Sequence, residues 1–299
     1  MTDFLQLTVS GVSNGFMYAL VGVAFGMILS VTGRFHFAFT FTYALSAYIA
    51  SQVGESFGLP FWLSMAIGAL VAVVLGIVIE RLVYRPLAAR SGAYSLLVIF
   101  VASLGLSIIG SNLISLIWIG SSSRQIYGFS NVGYNVGQVV ITKLDIVQCA
   151  IAFVFIALLG LIVSYTNVGR IIRAVQVNPD MSQIVGIDPK RIYLIVFGVG
   201  SALGGVAAVL DATKTAAQPN MGFNPLFYAF VVAFIAKLGS HPVRVATVGL
   251  VLGLVESWSG LFIPIQYTSL VVFTILFVYV ALVPVQMGSL FRRLSATSS

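Results

Sequence analysis

Runs of about twenty apolar residues follow one another along nearly the whole chain, parted by short polar segments, and this pattern restricts the fold more than any single motif. The hydrocarbon core of a bilayer is about 30 Å thick and an α-helix rises about 1.5 Å per residue, so about 20 apolar residues make one crossing. Candidate spans fall at 5–31, 35–53, 60–83, 94–119, 146–165, 192–211, 225–238, 245–263 and 267–285. The seventh is short and reads as broken or re-entrant; the second, with Thr40 and Thr42 among aromatics, reads as a partial span. The expected fold is all-α: a polytopic transmembrane helical bundle of about eight to ten spans, one domain over 1–299.

Composition removes the soluble alternative. The chain is 59% hydrophobic and 8% charged, whereas soluble domains are about half apolar and about a quarter charged. Asp3 stands where a signal peptide would be basic, so the first apolar run is expected to be a retained span. A single cysteine, Cys149, excludes an intrachain disulfide framework and a cysteine metal cluster. The net charge of +7 is read as topology rather than as affinity for nucleic acid, because positively charged loops stay in the cytoplasm. If every segment crosses, one side collects Arg34, Arg81, Arg85, Arg90, Arg170, Arg173, Lys190, Arg191, Lys237, Arg244, Arg292 and Arg293, against Arg124, Lys143 and Lys214 on the other. The first side, with the carboxy-terminal tail, is the expected cytoplasmic face, and the loop 120–145 is extracytoplasmic. That loop suits either the docking of a partner or a solvated connection.

Against this background the segment GRIIRAVQVNPDMSQIVGIDPKR, within a loop at 166–191, is unusually polar and rich in helix-start signals. Gly169 opens a short helix that sets Arg170 and Arg173 on one face, with Ile171, Ile172, Val175 and Val177 as its apolar side. Asn178, Pro179 and Asp180 read as N-cap, first helical residue and first-turn carboxylate of a second short helix. Gly186 is the left-handed residue that ends it, and Asp188–Pro189 repeats the start signal for the next span. Two short helices on the cytoplasmic surface result, serving either as an interfacial anchor on anionic headgroups or as a knob for a soluble partner.

This run, in which G-R-x-x-R-A is followed by N-P and closes on Gly186–Ile187, resembles the cytoplasmic coupling loop of the branched-chain amino acid ABC transporter permeases. ERLVYRPL at 80–87 and SNGFMYALVGVAFGMILSVTGRFHFAF at 13–39 resemble other segments of the same family, and the likeness extends over nearly the whole chain. The resemblance implies a channel-forming subunit in a bacterial-type inner membrane. It further implies a second permease subunit, as a heterodimer rather than a homodimer, two cytoplasmic ATPase subunits and an extracytoplasmic substrate-binding protein. Gly169, Arg170, Arg173, Ala174, Asn178, Pro179, Gly186 and Ile187 would carry the ATPase coupling. No cofactor is expected.

The chain departs from the family in two places. Where the family has N-F-A-H-G-E, this chain has HFAFTF at 36–41, and the family turn G-G-x-G-S is replaced by AKLGS at 236–240. Phe37, Phe39, Thr40 and Tyr43 are candidates to line the pathway, and the carried solute is a branched-chain amino acid or another small solute such as urea, an amide, or an aromatic or aliphatic acid.

Other residues admit two readings each. Glu256 is an acid deep within a span, and is either a pathway group or a packing acid bonded to Ser257, Ser259 or a lysine. Asp211 and Lys214 can form a local ion pair. His36, beside Arg34 at the cytoplasmic boundary, and His241, in a cytoplasmic turn, are too isolated for a metal site. Gly22 with Gly26, Gly200 with Gly204, and Gly249 with Gly253 have the spacing of close helix contacts. No hydrolase or metalloprotease motif is present, so an enzyme is not expected. Glu256 is nearly alone as an intramembrane acid, which argues against an ion-coupled secondary transporter. With no G-x-x-x-x-G-K-[ST] in the chain, ATP hydrolysis is assigned to a separate polypeptide.

Overall fold

The computed structural model describes residues 2–119, 123–137, 139–264 and 267–282; Gly120–Ser122, Val285 at the end of the ninth candidate span, and Arg292 and Arg293 of the tail lie outside the described residues. The chain is a helical bundle. Its elements are α1 (Thr2–Thr32), α2 (Phe39–Phe57), α3 (Phe61–Ile79), a π-helical turn (Glu80–Tyr84), α4 (Arg85–Ser91), α5 (Ser95–Ile117), α6 (Lys143–Tyr165), α7 (Asn167–Val177), α8 (Pro179–Ile184), α9 (Pro189–Thr215), α10 (Phe223–Ile235), α11 (Pro242–Ser259) and α12 (Thr268–Leu282). Among the described residues, five helices are long and apolar enough to cross a bilayer: α1, the continuous helix Phe61–Ser91, α5, α6 and α9.

Helices α1 and α9 are largely enclosed, whereas α3, α5 and α6 keep one side turned outward, as lipid-facing helices do. Close backbone approach holds the centre together. A Cβ on Gly253 would lie 2.4 Å from Gly15 Cα, and one on Gly249 would lie 2.7 Å from Ala19 Cα, so α1 and α11 meet without intervening side chains. Gly200 meets Ile28 of α1, and Gly204 faces the ring of Phe39. The expected small-residue pairs are therefore helix contacts, and Gly11 and Gly15 extend the same seam.

Three details differ from the sequence expectation. The second helix starts at Phe39, not at 35, because Arg34–Ala38 form a non-helical link between α1 and α2. Lys143, not residue 146, opens α6: Thr142 Oγ1 accepts from the Asp145 N–H at 3.1 Å while Asp145 Oδ2 accepts from the Thr142 N–H at 3.2 Å, a reciprocal cap. The segment between α5 and α6 holds an antiparallel hairpin, Gly133–Val136 (β1) with Val139–Thr142 (β2), where Gly137 supplies φ +67 in the turn. The short seventh segment is α10, with only 13 residues. It is preceded by 216–222, where Ala217 pairs with Arg124 and Gly222 reaches the backbone of Thr40 at the start of α2. Lys237, in the AKLGS turn, adopts φ +70, a left-handed conformation glycine takes without steric cost.

Candidate functional site

The loop 166–191 folds as an elbow of two short helices joined by caps in series. Thr166 Oγ1 accepts from the Gly169 N–H at 3.2 Å and starts α7, two residues before the expected Gly169. Asn178 Oδ1 accepts from the N–H groups of Asp180 at 3.1 Å and Met181 at 3.0 Å, with Pro179 as the first residue of α8. The Asn178 N–H in turn donates to the Ala174 carbonyl at 3.0 Å, joining the two helices. Gly186 adopts φ +85, and the Ile187 N–H donates back to the Ser182 carbonyl at 2.9 Å, which closes α8. Asp188 Oδ1 then caps α9 by accepting from the Lys190 N–H at 3.0 Å. Each side-chain cap is worth about 1 kcal/mol, enough in series to keep so short a structure from fraying.

The elbow is fastened at both ends. A Cβ on Gly169 would lie 2.4 Å from the Val163 carbonyl oxygen, so only glycine lets α7 lean on the end of α6 this closely. Ile172 and Val175 are buried in a cluster with Ile28 and Val31 of α1 and Ile192, Val196 and Phe197 of α9. Arg170, bonded to Asn167, is exposed on the outer side, as are Arg173 and Ala174. Val177, expected on the apolar side, lies outside the buried face, which ends at Val175; Val177, Met181, Ile184 and Val185 are 61–79% exposed. Arg173, Gln176, Lys237 and His241 line a cavity of about 270 Å³ between the elbow and the α10–α11 turn.

Arg34 and His36, in the link between α1 and α2, are enclosed by the bundle next to the elbow. Arg34, 8% exposed, is paired with Glu80, 1% exposed, in the π-helical turn, and its guanidinium lies 5.2 Å from the centre of the Tyr193 ring. His36 Nδ1 is 2.9 Å from Tyr84 Oη. Mutual neutralisation lets both charges stay out of water. Pairing at a separation of 46 residues, as for Arg34 and Glu80, leaves no local trace in sequence.

At the other end of α9 a second cavity of about 360 Å³ opens among α1, α2, α6, α9 and α10. Of the candidate pathway residues, Tyr43 lines it, and its hydroxyl donates to Asp211 Oδ2 at 3.2 Å. Phe39 is seated on Gly204, Thr40 is bonded to Ser107 and Phe37 packs edge-on against Phe100, so these three form the wall between α2 and its neighbours α5 and α9. Glu256 lies one layer behind the cavity, bound by neither Ser257 nor a lysine: it accepts from Tyr18 Oη at 2.5 Å and Tyr228 Oη at 2.6 Å. Those two rings stack at 4.1 Å and themselves line the cavity. Ser259 Oγ donates only to the Glu256 backbone carbonyl, at 2.6 Å. Asp211 and Lys214 do not pair directly; Lys214 Nζ donates to Asn14 Oδ1 at 2.9 Å and lies 4.0 Å from Asp145. Among the described residues no cluster of His, Cys, Asp and Glu could hold a metal.

Residues 7–281 match the family model described as the branched-chain amino acid transport system permease component. The Escherichia coli (strain K12) high-affinity branched-chain amino acid transport system permease protein LivH is 28% identical, over 94% of each chain. The corresponding Pseudomonas aeruginosa protein, BraD, is 29% identical over 91% of this chain and 92% of its own. A probable branched-chain amino acid transport permease of Methanocaldococcus jannaschii is 25% identical over 72% of this chain and 69% of its own. No solved structure matches significantly.

Proposed function

Because the chain belongs to the family of branched-chain amino acid transport permease components, we propose that it forms half of the channel of an ATP-driven importer and that the elbow at 166–191 is where a cytoplasmic ATPase engages it. The observation that carries this reading is the elbow itself: a doubly capped pair of short helices, fastened to α6 and α9, with an apolar outer surface. A rigid elbow transmits displacement to both attached helices, whereas a slack loop would absorb it. The full assembly has a second permease subunit, different from this one, two ATPases and an extracytoplasmic binding protein that delivers a branched-chain amino acid or a related amide or carboxylate. It sits in the inner membrane, with the elbow in the cytoplasm, consistent with the arginines gathered around it.

Reconstitution tests this directly. In liposomes holding this chain, its partner permease and the ATPases, uptake is expected to require both ATP and the binding protein. Uptake by this chain alone, driven by a sodium or proton gradient, would contradict the proposal.

A further inference from the structure

The 360 Å³ cavity holds a cation and an acid that belong to one helix yet do not neutralise each other. Asp211 and Lys214 are three residues apart on α9, which sets their Cβ atoms about 5–6 Å from one another. Each is held by a separate neighbour, Asp211 by Tyr43 and Lys214 by Asn14. Among the described residues Asp211 Oδ1 has no hydrogen-bond partner. Asp145, the other acid near Lys214, already accepts from Ser13 through Oδ1 and from Thr142 through Oδ2.

A second, independent feature points to a ligand. Gln148 of α6 lines the same cavity; its Nε2 donates to the Ser13 carbonyl at 2.8 Å, but its Oε1 is buried with no partner. A buried acceptor left unmade is costly, and such orphans call for an explanation. The cavity thus offers two unfilled acceptors, Asp211 Oδ1 and Gln148 Oε1, close to one cationic donor, with Met17, Val21 and Met221 as apolar wall. Ala216, at the cavity edge, keeps φ +68, a strained conformation of the kind that gathers at binding sites.

We infer that this cavity is a zwitterion-binding station on the transport path, in which Asp211 and Gln148 receive the α-ammonium of an amino acid and Lys214 with Asn14 its α-carboxylate. An α-amino acid carries both charges on one carbon, so it can face both groups at once, and the volume is at the small end of the range for ligand sites, about 300–1,000 Å³. Urea or an uncharged amide would leave the Asp211 carboxylate unmatched and Lys214 with only the long 4.0 Å pairing to Asp145. The inference rests on the proposed permease role but assigns it a location and a head-group rule.

The test uses the complete assembly in detergent, without the binding protein, and tritiated L-leucine as probe in a scintillation proximity assay. Leucine is expected to bind, and 4-methylpentanoate, which lacks the amine, and 3-methylbutylamine, which lacks the carboxylate, are each expected to compete roughly ten- to a hundredfold more weakly than leucine, the factor carried by a charge-assisted hydrogen bond. Competition on the unaltered protein is free of folding effects. Asp211→Asn and Lys214→Met should each weaken leucine binding by a similar factor, while Lys214→Arg retains most of it. Gln148→Leu, which removes the orphan acceptor, should stabilise the assembly to heat yet weaken leucine binding. Equal competition by the three compounds, or no leucine binding by an assembly whose uptake is ATP-dependent, would overturn the inference and leave the importer role standing. Uptake that needs no ATP would instead remove the role on which it rests.

Discussion

Glu80→Ala is expected to destabilise the purified chain by about 3–5 kcal/mol, the cost of leaving a buried charge without its partner. The carboxylate is 1% exposed and Arg34, its counter-ion, 8%, so neither can turn to water without opening the bundle. Removing both charges together has a different outcome: Arg34→Met with Glu80→Leu should recover most of the loss, since an apolar pair of similar volume is often neutral or stabilising at a buried site. Denaturant titration in mixed micelles measures both. If Glu80→Ala loses under about 1 kcal/mol, the pair behaves as a solvated one and the interior beneath the elbow is wetter than described. The pair also adjoins Tyr193 and Tyr84, which belong to the cluster that seats Ile172 and Val175 of the elbow. The doubly substituted chain separates stability from transmission: restored stability with lost transport would assign the pair a role in carrying motion.

Replacing Met181, Ile184 and Val185 together by serine should act in the opposite way, leaving the chain stable and disconnecting it from its motor. These side chains stand clear of the bundle, so polar replacements cost the free chain little. If an ATPase groove covers them, each contributes about 1.5–3 kcal/mol of burial. Losing three such contacts weakens association by well over a hundredfold, at about 1.4 kcal/mol per factor of ten. Co-purification of the ATPase and ATP-driven uptake should fall together. Should the triple variant keep its ATPase but leave the membrane interface more readily, the patch is a lipid-seated anchor.

What the sequence discloses here is local, and what it hides is distant. Asn178–Pro179–Asp180, Gly186 and Asp188–Pro189 were legible because a cap and the N–H groups it binds are within three residues of each other. The apolar runs were legible because lipid demands length and composition rather than particular partners. Pairings across the bundle were not: Glu256 meets Tyr18, 238 residues away, and Asp211 meets Tyr43, 168 away, instead of the nearby Lys214. The hairpin at β1 and β2 was missed although Val139, Val140 and Ile141 carry a strand-like run next to Gly137. Helical period puts Val177 on the apolar side of α7, but the helix ends there and the side chain is left outside the cluster that buries Ile172 and Val175. The aromatic departure at 39–41 also needed the fold, since Phe39 and Phe41 fill space left by Gly204 and Gly110 on other helices.

If the proposed function holds, the elbow touches a separate motor on the cytoplasmic side. Cross-linking measures this most directly: Ile184→Cys, in a chain whose Cys149 is replaced by alanine, is treated with a thiol-to-amine reagent in the assembled transporter with and without ATP. A covalent adduct between this chain and the ATPase subunit, with a yield that changes with nucleotide, is expected. An adduct with the extracytoplasmic binding protein, or labelling of the introduced thiol by an impermeant maleimide applied only from outside the cell, would contradict the proposed function.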